Sequence, residues 1–236
     1  MVYITGDTHG DFSRFKSPDA RKLRRGDTMI VLGDFGFLWN GSKEEQHILN
    51  KLSRLKYTVL FLDGPHENYD LLGEIPVTEW NGGKVQMIKE NVMHLLRGEV
   101  YTIEYDKYFV FGGGEGPEHD IRTQTKTWWE EEMPSGEEML HGRSRLAEQG
   151  NKVNFILSHE YPGKTASHLS KNRRTNGVNA YLGLIETEVE YDRWFFGSLH
   201  LDKIMSKRLL SVFQFIIPVH KPQPKRGKAK NSTTLG

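Results

Sequence analysis

The chain has no cysteine. That excludes disulfides, thiolate nucleophiles and cysteine-ligated zinc, so any metal site must be built from His, Asp, Glu and Asn. No apolar stretch approaches the roughly 20 residues a membrane-spanning helix needs. No basic segment followed by an apolar run opens the chain, so neither a membrane partner nor a secretory leader is expected, and a cytoplasmic location is. A net charge of +1 gives no overall pull toward a polyanion, and that neutrality hides a division. Lys221, Lys225, Arg226, Lys228 and Lys230 lie in a tail without an acid, and setting those five aside leaves residues 1–220 at −4. The body therefore offers no general attraction to nucleic acid, and only the tail leaves that partner open. There is no internal repeat. The expected organisation is one domain over 1–220, long enough for a substantial core, and a basic, disordered tail over 221–236.

What the body does contain is a recurrent unit. A short apolar run ends at a glycine and hands over ligand-type side chains. Val2-Tyr3-Ile4-Thr5 ends at Gly6-Asp7-Thr8-His9-Gly10, and an extended D-x-H segment would point Asp7 and His9 to one face. Thr28 to Leu32 ends at Gly33-Asp34-Phe35-Gly36, and Thr58 to Leu62 ends at Asp63-Gly64-Pro65-His66-Glu67-Asn68. Val153 to Leu157 delivers Ser158-His159-Glu160, and Arg193 to Phe196 leads into Gly197-Ser198-Leu199-His200. Runs apolar on both faces suit strands buried between layers, and sites in α/β sheets form at the carboxyl ends of such strands.

Between these units the helix signals are clear. Ser42-Lys43-Glu44-Glu45 caps a helix carrying Ile48, Leu49, Leu52 and Leu55, and Ser135 opens another that ends near Gly150. Val178, Tyr181, Leu182, Ile185 and Val189 mark one more, and Ser17-Pro18-Asp19 predicts a short helix ending near Gly26. Val100 to Tyr105 and Tyr108 to Phe111 flank Asp106-Lys107 as a hairpin in a second sheet, and Leu209 to Ile217 reads as the last strand. Trp128-Trp129 are expected to pack a loop onto the core. The basic loop between His168 and Asn176, with Lys171, Arg173 and Arg174, reads as solvated or as a rim for an anionic substrate.

Asp7, His9, Asp34, His66, His159 and His200, in that order, resemble the signature of the calcineurin-like metallophosphoesterases: D-x-H-G, G-D-x-x, G-N-H-E, a lone histidine and G-H-x-H. The resemblance spans residues 1–217. It implies an α/β fold of two packed mixed β-sheets flanked by helices, a four-layer sandwich. It also implies hydrolysis of a phosphomonoester or phosphodiester by metal-activated hydroxide. On this likeness a first divalent cation would be held by Asp7, His9, Asp34 and His200, with manganese the first expectation and iron or zinc the alternatives. Asp34 would bridge to a second cation near His159. That second site departs from the family pattern, because the expected Asn is Pro65 and the expected first His of the last block is Ser198. One tight site and a weak or empty second are therefore expected. His66 would be the catalytic histidine, acting on the leaving oxygen. Asp63, Glu67, Asn68 and Ser198 would be outer groups, and Arg122 a candidate phosphate contact. The alternative reading is a catalytically impaired binding module of the same fold. A nuclease is disfavoured by the acidic body, and oligomeric state is not legible.

Overall fold

The computed structural model describes residues 1–116, 119–163, 165 and 175–220. The basic loop with Lys171, Arg173 and Arg174, and the tail 221–236, lie outside the described residues. Thirteen described strands form two mixed sheets. The first has the order β13-β1-β2-β3-β6-β5-β4, with β1 Val2–Thr5, β2 Thr28–Val31, β3 Thr58–Phe61, β4 Val77–Trp80, β5 Gly83–Lys89, β6 Val92–Leu95 and β13 Ile217–Pro218. The second has the order β11-β12-β10-β9-β8-β7, with β7 Val100–Ile103, β8 Asp106–Phe111, β9 Phe155–Ser158, β10 Arg193–Phe196, β11 Lys203–Ile204 and β12 Leu209–Ser211. In each sheet four central strands run parallel and the flanking ones antiparallel.

The continuous apolar runs are explained by burial on both faces. Ile30 and Leu60 face the second sheet, while Met29, Val31, Val59 and Phe61 pack against α1 (Lys43–Leu52) through Leu49 and Leu52. Phe155, Leu157 and Phe195 close the same central core from the other side. Ile156, Trp194 and Phe196 pack outward against α4 (Gly136–Glu148) and α5 (Gly177–Glu188) through Leu146, Leu182 and Ile185. The result is helix, sheet, sheet, helix. Each such side chain contributes about 1.5–3 kcal/mol on full burial, so the scaffold under the strand ends is stiff. Two further helices are short: α2 (Tyr69–Gly73) and α3 (His119–Gln124).

Three expectations need correction. The segment from Ser17 is not an α-helix; Phe12–Lys16 and Ala20–Lys22 are separate 3₁₀ turns. Asp11 caps the first turn through the Ser13 N–H, and a stretch this short cannot repay α-helix nucleation. The hairpin turn is Glu104-Tyr105, both at positive φ as tight hairpins require, and Asp106 already belongs to β8. Residues 77–95, for which no element was expected, hold β4, β5 and β6. The run from Leu209 is broken in two: β12 ends in the second sheet and β13 pairs with β1 in the first. The backbone N–H groups of Phe213, Gln214 and Phe215 bond to the Asp202 carboxylate between the two pieces, so they make no ladder.

Candidate metal centre

Strand β1 carries Asp7 to the sheet rim and Gly6 lets it run close beneath the crossing chain. The expected extended D-x-H geometry does not occur. His9 sits at φ +45°, so a turn rather than a strand brings it back over Asp7. The backbone N–H groups of Thr8 and His9 both donate to the Asp34 carbonyl, at 3.1 and 2.8 Å, and Gly10 donates to that of Phe35 at 3.0 Å. Thr8 Oγ1 donates to the same Phe35 carbonyl at 2.8 Å. The loops after β1 and β2 are thus buttoned together. Contact between Gly10 and Gly36 leaves no room for a Cβ on either.

The four expected first-site ligands meet. One donor atom each from Asp7, His9, Asp34 and His200 lies within 4.8 Å of all the others. The two imidazole Nε2 atoms of His9 and His200 are 3.3 Å apart, His200 Nε2 is 2.9 Å from Asp7 Oδ2, and His9 Nε2 is 3.7 Å from Asp34 Oδ2. Donors held about 2.0–2.2 Å from a tetrahedral cation sit roughly 3.3–3.6 Å from each other, so the spacing suits an ion. The carboxylates are buried and the imidazoles exposed, which leaves one open side. Asp7 Oδ1 is buried with no hydrogen-bond partner, and a side chain at Gly197 would come within 2.3 Å of it. A buried carboxylate oxygen without a hydrogen bond, in a cluster of convergent donors, fits a cation, and the group that faces it in the protein alone is His159, whose Nδ1 lies 3.6 Å away. His9, Asp34 and His200 all have φ between +41° and +50°. Non-glycine residues in that region are held there by their surroundings, commonly at functional sites.

Burial works against ionising Asp34, yet the charge of His159 and hydrogen bonds from His66 hold its carboxyl below the ordinary range. Burial would keep His159 neutral, but Asp7 and Asp34 push it up to about 10. The hydrogen bond to Asp7 raises His200, while burial lowers His9.

His159 stands apart from the four. Its Nδ1 donates to the Leu32 carbonyl at 3.1 Å and lies 3.6 Å from Asp7 Oδ1. The two substituted positions of the second site are engaged elsewhere. Ser198 Oγ donates to Glu160 at 3.2 Å, and the Pro65 carbonyl accepts from Arg122 at 2.7 Å. His66 donates from both its backbone N and its Nδ1 to Asp34, each at 2.8 Å, and its ring meets that of His9 edge-on at 5.4 Å.

The outer groups divide. Glu67 accepts from the Phe35 N–H at 2.5 Å and from Gly36 at 3.4 Å, so it holds the turn that carries Asp34. Asn68 caps α2 through the Leu71 N–H and donates to the Trp39 carbonyl. Asp63 accepts from His94, Arg97 and Tyr69 behind the site rather than from a ligand. Arg122 is spent on Glu132 and on the carbonyls of Pro65 and Thr127, which makes it a brace for the His66 loop and leaves it no free face for phosphate. Arg97, Glu160 and Phe213 were not expected. No local sequence signal marks Arg97 or Phe213, whose partners lie far along the chain, whereas Glu160 adjoins His159 at the end of β9.

A model of the calcineurin-like phosphoesterases matches residues 1–202. The chain belongs to that family. No curated protein matches it. Among solved structures a phosphopantetheinyl hydrolase from Mycobacterium tuberculosis is similar over 90% of this chain and 89% of its own, at 15% identity and a TM-score of 0.42. The two mixed sheets with helices on both outer faces are the metallophosphoesterase fold. No described helix of this phosphoesterase-family chain is long and apolar enough to cross a membrane.

Proposed function

We propose that the chain is a metal-dependent phosphoesterase that hydrolyses a phosphomonoester or phosphodiester at a centre with one tight cation site. The observation that carries this is the convergence of Asp7, His9, Asp34 and His200, from the three loops that follow β1, β2 and β10, on one open-sided pocket containing a buried carboxylate oxygen with no hydrogen bond. A divalent cation bound there would supply Lewis acidity toward a phosphoryl oxygen and make water a better nucleophile. Manganese is the first choice for this nitrogen and oxygen set, with iron or zinc as alternatives.

The chain's own residues supply the rest. Asp7 and Asp34, both buried, aim fixed negative charge at the opening, and Glu67 keeps the Asp34 turn from relaxing. His66 is the catalytic histidine in this reading. Asp34 takes its Nδ1–H, so Nε2 lies on the far side of a half-exposed ring, and in the imidazolium form that nitrogen would donate to a leaving oxygen. His159, Asp34 and the residues around Ser198 would form the weakened second site. The absence of cysteine supports a cytoplasmic location.

Pro65 and Ser198 favour one competing reading, a binding module with impaired catalysis. The deciding experiment is hydrolysis of generic mono- and diesters with added Mn²⁺, for the parent, an Asp34→Ala control and the Pro65→Asn/Ser198→His double variant. Parent activity above the control supports the enzyme. A silent parent beside an active double variant establishes the binding module.

A further inference from the structure

A histidine that ligates through Nε2 ordinarily has its Nδ1–H bonded to a carboxylate or carbonyl, which fixes the ring's direction. His200 points Nε2 at Asp7 and His9, and among the described residues no acceptor meets its Nδ1. Its side chain is 48% exposed, so packing on most sides cannot hold it either. What does lie against it is the ring of Phe213, centroids 4.8 Å apart and planes 25° from parallel.

Phe213 is gripped from both of the loops it serves. On one side the Asp202 carboxylate, two residues beyond His200, accepts the N–H groups of Phe213, Gln214 and Phe215 at 2.8, 3.0 and 3.2 Å. On the other its carbonyl accepts from the N–H of Gly6, the residue before Asp7, at 3.0 Å, and from Arg14 Nη1 at 2.5 Å. The approach at Gly6 is so close that a Cβ there would lie 2.3 Å from the Val212 carbonyl oxygen. The Arg14 guanidinium stands 5.7 Å over the Phe213 ring. One residue is therefore tied by its backbone to Gly6, next to Asp7, and to Asp202, two residues past His200, and its flat face rests on His200.

We infer that Phe213 is the positioning residue of His200, its ring doing by stacking what a hydrogen bond at Nδ1 would otherwise do. This rests on the metal-centre reading. Outer groups of this kind are worth about 10–100-fold in metal affinity. The probe is Co²⁺, read by its visible absorption and by competition against a chelator. Phe213→Leu, which keeps bulk and loses the flat face, and Phe213→Ala should each bind Co²⁺ about 10-fold more weakly with altered bands. Phe213→Tyr should restore parent affinity and spectrum, and Phe215→Ala, on the same Asp202 clamp but exposed, should match the parent. Circular dichroism checks folding, and Phe213→Leu decides if Phe213→Ala does not fold. Parent-like binding by Phe213→Leu would overturn the inference, as would an equal loss in Phe215→Ala, which would mark a loop effect. A parent with no Co²⁺ bands would instead remove the centre itself and the assignment with it.

Discussion

Replacing Arg97 with methionine should destabilise the protein by about 3–5 kcal/mol, the usual cost of stranding one partner of a buried ion pair. Arg97 is 7% and Asp63 1% exposed. Arg97 Nε donates to Asp63 Oδ2 at 2.7 Å, and Nη2 is ion-paired with the same oxygen at 2.5 Å. Nη2 also serves Tyr69 Oη at 2.9 Å and the Glu131 carbonyl at 2.7 Å. Methionine fills much of the volume but leaves Asp63 with His94 and Tyr69 alone, and leaves the Glu131 carbonyl unanswered. On a domain of typical stability, about 5–15 kcal/mol, that is a large fraction, visible as a shift of the urea midpoint at pH 7. Adding Asp63→Asn should return part of the loss, because the stranded charge is then gone. The acid limb offers an independent reading. Burial alone would raise Asp63, but Arg97 and His94 hold it well below the usual carboxylate range. A folded pKa below the unfolded value of about 3.9 stabilises the protein above that pH and is lost as pH falls through the folded value. The parent should therefore lose this contribution only below about pH 4, and Arg97→Met should show a smaller loss there. An unfolding free energy from urea for Arg97→Met within about 0.5 kcal/mol of the parent, the range of ordinary surface changes, would refute the reasoning.

Three further outcomes are expected. Gly64→Ala would place a Cβ 2.2 Å from Asp34 Oδ1; metal affinity by isothermal titration should fall at least about 10-fold, with a stability cost of about 1–3 kcal/mol in urea. His66→Gln should lower kcat on a generic ester by about 10²–10⁴-fold, while metal content by mass spectrometry stays at the parent level. Pro65→Asn/Ser198→His should raise bound metal after exhaustive dialysis from one equivalent toward two, and two full equivalents in the parent would contradict the single tight site.

The candidate cluster was legible because each of its loops follows a strand end marked by glycine. Asp7, Asp34 and His200 announce themselves by that position, and the buried strands follow from runs such as Thr28 to Leu32. The turn at His9 was not legible, since a D-x-H triplet carries no sign of whether its backbone is extended or left-handed. Asp63 looked like an outer group of the site because it sits three residues before His66, yet its partners are Arg97 and His94, about thirty residues on. Arg122 was misjudged for the same reason: a buried arginine and an exposed one look alike until Glu132 is seen beside it. The break in the last strand depended on Asp202, whose capture of three consecutive N–H groups no pattern at Leu209 to Ile217 foretells.

The left-handed backbone at positions 9, 34 and 200 filters what can ever stand there. Branched side chains such as valine, isoleucine and threonine are disfavoured in that conformation, whereas asparagine and glycine accept it readily. A descendant without the proposed metal centre would thus be expected to carry Asn and Gly at these three places first, keeping the shape of the rim. Such a relic would look like a binding cleft with a phosphoesterase's outline, and its ancestry would be written in its main chain rather than in its side chains.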